Sequence, residues 1–213
     1  MHNQTNQAYQ EIKHRILNGT LRPSESLTEM GLASELGVSR STVKNALLKL
    51  ESESLVVIMQ NKSARVRSFS IEEVLQNIQV RELLEGFIVS LSAPLLSEED
   101  LAELGAILKE MEACFEAKDF MQYSQNNWRF HDVLYRVCPN KAAVEITMDI
   151  KNQLKRYNLR TILVRGRDES SLQEHRGILQ ALMARDTARA EALMREHIAN
   201  VGAVLKDNYS LLF

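Results

Sequence analysis

Residues 32–51, LASELGVSRSTVKNALLKLE, decide the fold. Leu32, Ala33 and Leu36 recur at helical spacing, and Gly37 then supplies the left-handed conformation in which helices commonly end. Val38 plugs a tight turn. Ser39 is placed to cap a second helix by accepting a backbone N–H. Val43, Ala46, Leu47 and Leu50 form that helix's apolar stripe. Ser39, Arg40, Ser41, Thr42, Lys44 and Asn45 crowd its early turns away from the stripe. Short hydroxyls and cations at a helix start are what a recognition helix needs, because its first turns meet phosphates and base edges in the major groove. A solvated helix start in any helical protein would share these features, so the flanks matter.

Upstream, Ala8, Ile12, Ile16 and Leu17 predict a helix over 7–17 closed by Asn18-Gly19, with residues 1–6 polar and frayed. Residues 21–26, with Pro23, read as a connector to the motif's first helix, 27–36. Its second helix is expected over 39–52. Downstream, 55–58 (LVVI) and 64–67 (ARVR) predict two short strands around a polar, basic turn containing Asn61 and Lys62. Arg65 and Arg67 alternate with Val66, so both cations share one side of the second strand. Helix, helix-turn-helix and wing together specify a winged helix with Ser39, Arg40, Ser41, Thr42, Lys44, Asn61, Lys62 and Arg65 as candidate DNA contacts.

The charge agrees. The whole chain of 213 residues carries a net −2, yet residues 1–68 hold nine Lys/Arg against six Asp/Glu, and the remainder 17 against 22. A modestly basic module joined to an acidic one fits a protein of which one part touches nucleic acid. No apolar run is long enough to span a bilayer and no signal peptide opens the chain. Cys114 and Cys138 make neither a disulfide framework nor a zinc-type pair, so the cytoplasm is the expected compartment.

From residue 70 the chain is helical pattern almost throughout. Ser70 to Glu73 reads as a capping box. Helices are predicted over 70–92, 97–117, 119–137, 140–163, 170–184 and 187–207, with Pro94 and Pro139-Asn140 as breaks, a charged loop over 166–171, and Asp119 and Asp186 as caps. The expected architecture is mostly α: domain 1–68 a winged helix-turn-helix, domain 69–213 an all-α six-helix bundle. Three of the five histidines, His131, His175 and His197, fall on different bundle helices. Asn127 stands one turn before His131, so this pair could share one ion. Spacing alone brings no other pair together, and buried structural histidines remain an open reading.

The N-terminal segment resembles the DNA-binding domain of GntR-type transcription regulators. The resemblance runs through Ile16-Leu17-Asn18-Gly19, Pro23, Leu27, Leu32-Ala33, Leu36-Gly37-Val38-Ser39-Arg40, Val43, Ala46-Leu47, Leu50-Glu51 and Val66. This chain departs from the usual pattern at Ser24, Ser54 and Ser63, where the family has glycine. It departs again at Thr42, Lys44 and Asn45, where the family has proline, arginine and glutamate. Lys44 keeps a charge for phosphate but loses the bidentate guanine readout of arginine. The bundle is similar to the FCD effector domain of the FadR branch, through Arg81-Glu82-Leu83-Leu84-Glu85, Phe130-His131, Asn140, Glu174-His175, Ile178, Ala181, Asp186, Ala190, Met194 and His197.

The resemblance implies a homodimer on a palindromic double-stranded operator, most often as a repressor. It implies a divalent metal (zinc, nickel or manganese) on Asn127, His131, His175 and His197, capturing a small carboxylate effector. Asn127 replaces the family's aspartate, which removes one anion from the site. Arg81 is the matching helix-one cation for the effector; an ion pair with Glu85 at i+4 is its other reading. Arg160, Arg165 and Arg167 are further cations, the last two read as solvated loop residues. Tyr123 and Trp128 line a pocket or pack, and Cys138 reads as buried filler. A regulator with a metal-free pocket is the alternative. A zinc enzyme is a weaker one, since Glu174, its only evident general base, points about 100° away from His175 on the same helix.

Overall fold

The computed structural model describes the backbone of residues 2–59 and 63–212, and the side chains of residues 4–59, 63–155 and 161–209. The chain divides into two compact units, Met1–Ser70 and Ile71–Phe213.

In the first unit the order is α1 (His2–Leu17), β1 (Ser26–Thr28), α2 (Glu29–Leu36), α3 (Arg40–Ser52), β2 (Val56–Met59) and β3 (Ser63–Val66). Helix α1 starts at His2 rather than at residue 7, because residues 2–6 contain no Gly or Pro to break it. Thr28 caps α2 by accepting from the Gly31 amide, Gly37 ends it at φ 64°, and Ser39 caps α3 by accepting from the Thr42 amide. Helix α3 closes with a bond from the Leu55 amide to the Leu50 carbonyl around Ser54 at φ 56°. That closure ordinarily uses glycine. The wing hairpin is present one residue from its predicted limits, with Val56 opposite Val66. A third strand takes the connector's last residue and the first two of the helix expected over 27–36: β1 pairs antiparallel with β3, Leu27 opposite Ala64, giving the order β1-β3-β2, and α2 starts only after its Thr28 cap. Ile12, Val43, Ala46 and Leu50 are wholly buried at the centre, with Leu47, Val56, Ala64 and Val66 around them.

The second unit contains α4 (Ile71–Ser92), a 3-10 turn at Ala93–Leu95, α5 (Glu98–Ala117), α6 (Phe120–Val137), α7 (Lys141–Thr161), α8 (Arg167–Met183) and α9 (Thr187–Leu212). Ser97 and Asp100 form a capping box, and Asp119 and Asp186 cap α6 and α9 as expected. Helix α8 begins three residues before its expected start, immediately after Gly166 at φ 80°, so most of the expected charged loop is helix. Helix α4 packs along α9 and against α6 and α7, while α5 packs against α6 and α8. Fully buried Phe130, Leu134, Ile178, Met194 and Ile198 line the helices that carry the histidines. Cys138 is buried among Ile88, Tyr135 and Ala143, as expected of apolar filler.

Candidate functional site

In the winged helix, Arg40, Ser41 and Lys44 on α3 and Arg65 on β3 are exposed. A cleft of about 550 Å³ beside α3 is lined by Arg40, Ser41 and Lys44 and, from the sheet, by Ile58, Ser63 and Ala64. Arg40 also reaches Glu29 at 3.7 Å. Ser39 and Thr42 do not both face outward. Thr42 is buried, and its hydroxyl lies 2.8 Å from Ser39 Oγ, so it completes the cap rather than offering a surface contact. Threonine at i+3 from the cap is turned toward the core by the helical period, a constraint hidden by its polarity. Asn61 and Lys62, at the wing tip, lie outside the described residues.

In the bundle, α6, α8 and α9 bring His131, His175 and His197 together. Their rings are buried, with centroid separations of 5.6 Å (131–175), 5.4 Å (131–197) and 4.5 Å (175–197). One nitrogen of each lies within 4.8 Å of the others. Each Nδ1 already has a partner at 2.6 Å: Glu85 Oε2 for His131, the Ser171 carbonyl for His175 and Glu174 Oε2 for His197. Carbonyls and ionised carboxylates only accept, so each Nδ1 carries the proton and each Nε2 keeps a free lone pair. The Nε2 atoms of His131 and His175 are buried without a partner, and so is Asn127 Oδ1.

Electrostatics keep this arrangement. Burial pushes His131 and His175 down to about 3 and His197 to about 4, so all three are neutral near pH 7. Burial would raise Glu85, but the Arg81 guanidinium beside it holds its carboxyl well below the usual range. Burial opposes ionisation of Glu174 too, yet the hydrogen bond from His197 and the charge of Arg167 lower it to about 2. Arg81 does pair with Glu85, 2.5 Å from its Oε1, and the pair is buried rather than on the surface. Arg167, expected in a solvated loop, is instead buried in α8 and lies 2.9 Å from Glu174. The left-handed Gly166 lets α8 start early and turns Arg167 inward. Glu174 is thereby committed to Arg167, His197 and Asn200 and is not free to act as a general base.

A cavity of about 40 Å³ borders His197 of this cluster, with Arg81, Asn127, Lys151 and Arg167 also in its wall. Tyr123 and Trp128, left between pocket and packing by the sequence, line it as well. Arg160's side chain lies outside the described residues. Sequence reasoning missed Lys151. It is buried on α7 and lies 3.0 Å from the Tyr135 hydroxyl. Only its burial in an amphipathic helix rich in surface lysines sets it apart, and the sequence does not display that.

The fold and these two clusters define a class: a winged-helix DNA-binding module joined to an all-helical ligand-sensing bundle. Comparison with known proteins narrows the class. Residues 4–66 match the bacterial regulatory proteins of the gntR family, and residues 76–200 match the FCD domain. The chain belongs to the GntR family of transcription regulators with an FCD effector domain. It is 31% identical to the transcriptional regulator LutR of Bacillus subtilis, over 89% of this chain and 95% of that protein. It is 28% identical to the transcriptional repressor GlaR of Escherichia coli, over 89% and 90%. The solved structure of E. coli McbR/YncC shares the fold, with a TM-score of 0.80 at 24% identity over 97% of this chain and 98% of that one. These relatives are regulators, not enzymes.

Proposed function

We propose that the chain is a dimeric, cytoplasmic, metabolite-responsive repressor. It reads a roughly palindromic DNA operator through α3 and the wing and senses a small carboxylate at a divalent metal in the bundle. The observation that carries the sensing part is the set of three clustered histidines whose Nδ1 protons are all committed, leaving their Nε2 lone pairs unused, with Asn127 Oδ1 likewise buried without a partner and Asn127 sharing a cavity wall with His197. Buried polar atoms without partners are costly, and a shared cation satisfies several at once. Three histidines and an amide oxygen suit zinc, nickel or manganese. A bound ion would supply a Lewis-acidic point for a carboxylate. Arg81 and the neighbouring cavity hold and orient the rest of the molecule.

Dimerisation is supported by Val80, Leu83 and Phe87, exposed large apolar groups at i, i+3 and i+7 along α4. A two-fold protein reads a two-fold site. The effector regulates by binding the DNA-competent and DNA-incompetent states with different affinity. Asn127, a neutral donor, favours as a second reading a pocket that takes its effector without metal.

The test is selection of duplexes from a random pool by the full chain, followed by equilibrium binding. The reading expects enrichment of an inverted repeat bound by two chains. Enrichment of no sequence, or of a site without two-fold character, contradicts it.

A further inference from the structure

We propose that Asn45 and Leu48 of α3 together read one A·T base pair, the amide taking the adenine edge and the leucine the thymine methyl group. The inference rests on the reading of α3 as the recognition helix and names part of the sequence it recognises.

Helix α3 buries Thr42, Val43, Ala46, Leu47 and Leu50. At about 100° per residue, Ser41 and Leu48 project nearly opposite that stripe, with Lys44 about 40° to one side of Leu48 and Asn45 about 60° to the other. All four are exposed, and Leu48 keeps 45% of its surface open. The two flanks differ in charge. Arg40 and Lys44 line the cleft toward the sheet, where Arg40 also meets Glu29. On the other flank Lys49 reaches over the Tyr9 ring of α1, 5.5 Å from its centre, which leaves the neutral Asn45 beside Leu48. Among the described residues no hydrogen bond engages the Asn45 amide.

A leucine in the middle of a groove-facing surface has few favourable partners. Phosphates reward cations and hydrogen-bond donors, and most atoms of the base edges are polar. The thymine methyl is the apolar group that the major groove presents. Against it a leucine buries apolar surface on both sides; against another base it covers polar atoms without replacing their water. Asn45 precedes Leu48 by three residues, so the two side chains are neighbours on one face. An asparagine amide pairs bidentately with adenine, its oxygen accepting from the exocyclic N6 and its NH2 donating to N7. Adenine edge and thymine methyl are the two halves of one A·T pair, and the two side chains offer the matching chemistry side by side.

The test repeats selection from a random duplex pool with the full chain carrying Asn45→Ala or Leu48→Ala, beside the wild type. Both positions are exposed and alanine favours helix, so the fold is kept. The wild-type half-site is expected to hold an A·T pair at which both variants lose their preference, while the other positions stay as selective as before. On that site, deoxyuridine in place of the thymine removes the methyl group alone. It should weaken wild-type binding about fourfold, the worth of one buried methyl group, and leave Leu48→Ala binding almost unchanged. In the same way 7-deazaadenine should weaken the wild type about fivefold or more and Asn45→Ala hardly at all. Unchanged preferences in either variant overturn the proposal, as does relaxation of the two variants at different pairs. So does uniform weakening at every position, the mark of a phosphate contact, or an equal uracil penalty with and without Leu48. A wild-type chain that selects no sequence instead defeats the reading of α3 as a recognition helix, and the proposal falls with it.

Discussion

Glu85 Oε2 lies 2.6 Å from His131 Nδ1, while the other oxygen of the same carboxylate holds Arg81. One buried group thus fixes both the tautomer of a metal-ligand candidate and the orientation of Arg81, the proposed effector cation. Glu85→Gln should lower zinc affinity about 10- to 100-fold, the usual cost of losing such an outer partner. Competition against a chromogenic chelator measures it. Unchanged affinity would mean that Glu85 does not orient the ligand.

Asn127→Asp should tighten zinc binding by about tenfold or more. It places a carboxylate where a buried amide oxygen now has no partner. The same chelator competition reads the change. A variant that binds zinc no better would place Asn127 outside the coordination set.

Much of this was legible in the sequence. Gly37 and Ser39 mark the helix-turn-helix because a left-handed residue and a cap leave chemical signatures. The periodic bundle helices announce themselves in the same way. Strand β1 was not legible, since three residues carry no usable alternation and their pairing with β3 is made across more than thirty residues of chain. The histidines were legible as candidates only through family resemblance, because spacing within one helix says nothing about which helices meet. Glu85 and Lys151 owe their places to burial at that meeting point, and Arg167 owes its place to the turn at Gly166.

Arg40→Ala should weaken operator binding by about tenfold or more per half-site, the scale of a lost arginine–base contact. Thermal stability should hardly move. Arg40 is exposed, and its 3.7 Å approach to Glu29 is the kind of surface pair that contributes little. Anisotropy with a labelled operator duplex checks the first part and thermal unfolding the second. Undiminished affinity would remove α3 from the recognition role.

Ser54 adopts φ 56° and Ser24 φ 63°, two of the positions where the family resemblance implies glycine. A side chain in the left-handed region costs about 1–2 kcal/mol. Ser54→Gly should therefore stabilise the winged helix by about 1 kcal/mol, less what glycine's extra freedom in the unfolded chain takes back. Denaturant unfolding of the full chain, followed by probes in each unit, would show it. A loss of stability would mean that the serine side chain contributes more than its backbone strain costs.

A metal on the buried histidines is tested by the metal content of the untagged chain, purified without chelator, with His131→Ala and His175→Ala alongside. Elemental mass spectrometry should find about one zinc, nickel or manganese per chain in the wild type and little in either variant, as a single-ion site requires. No metal in the wild type, even after incubation with all three ions, would contradict the account, and so would a full load in either variant.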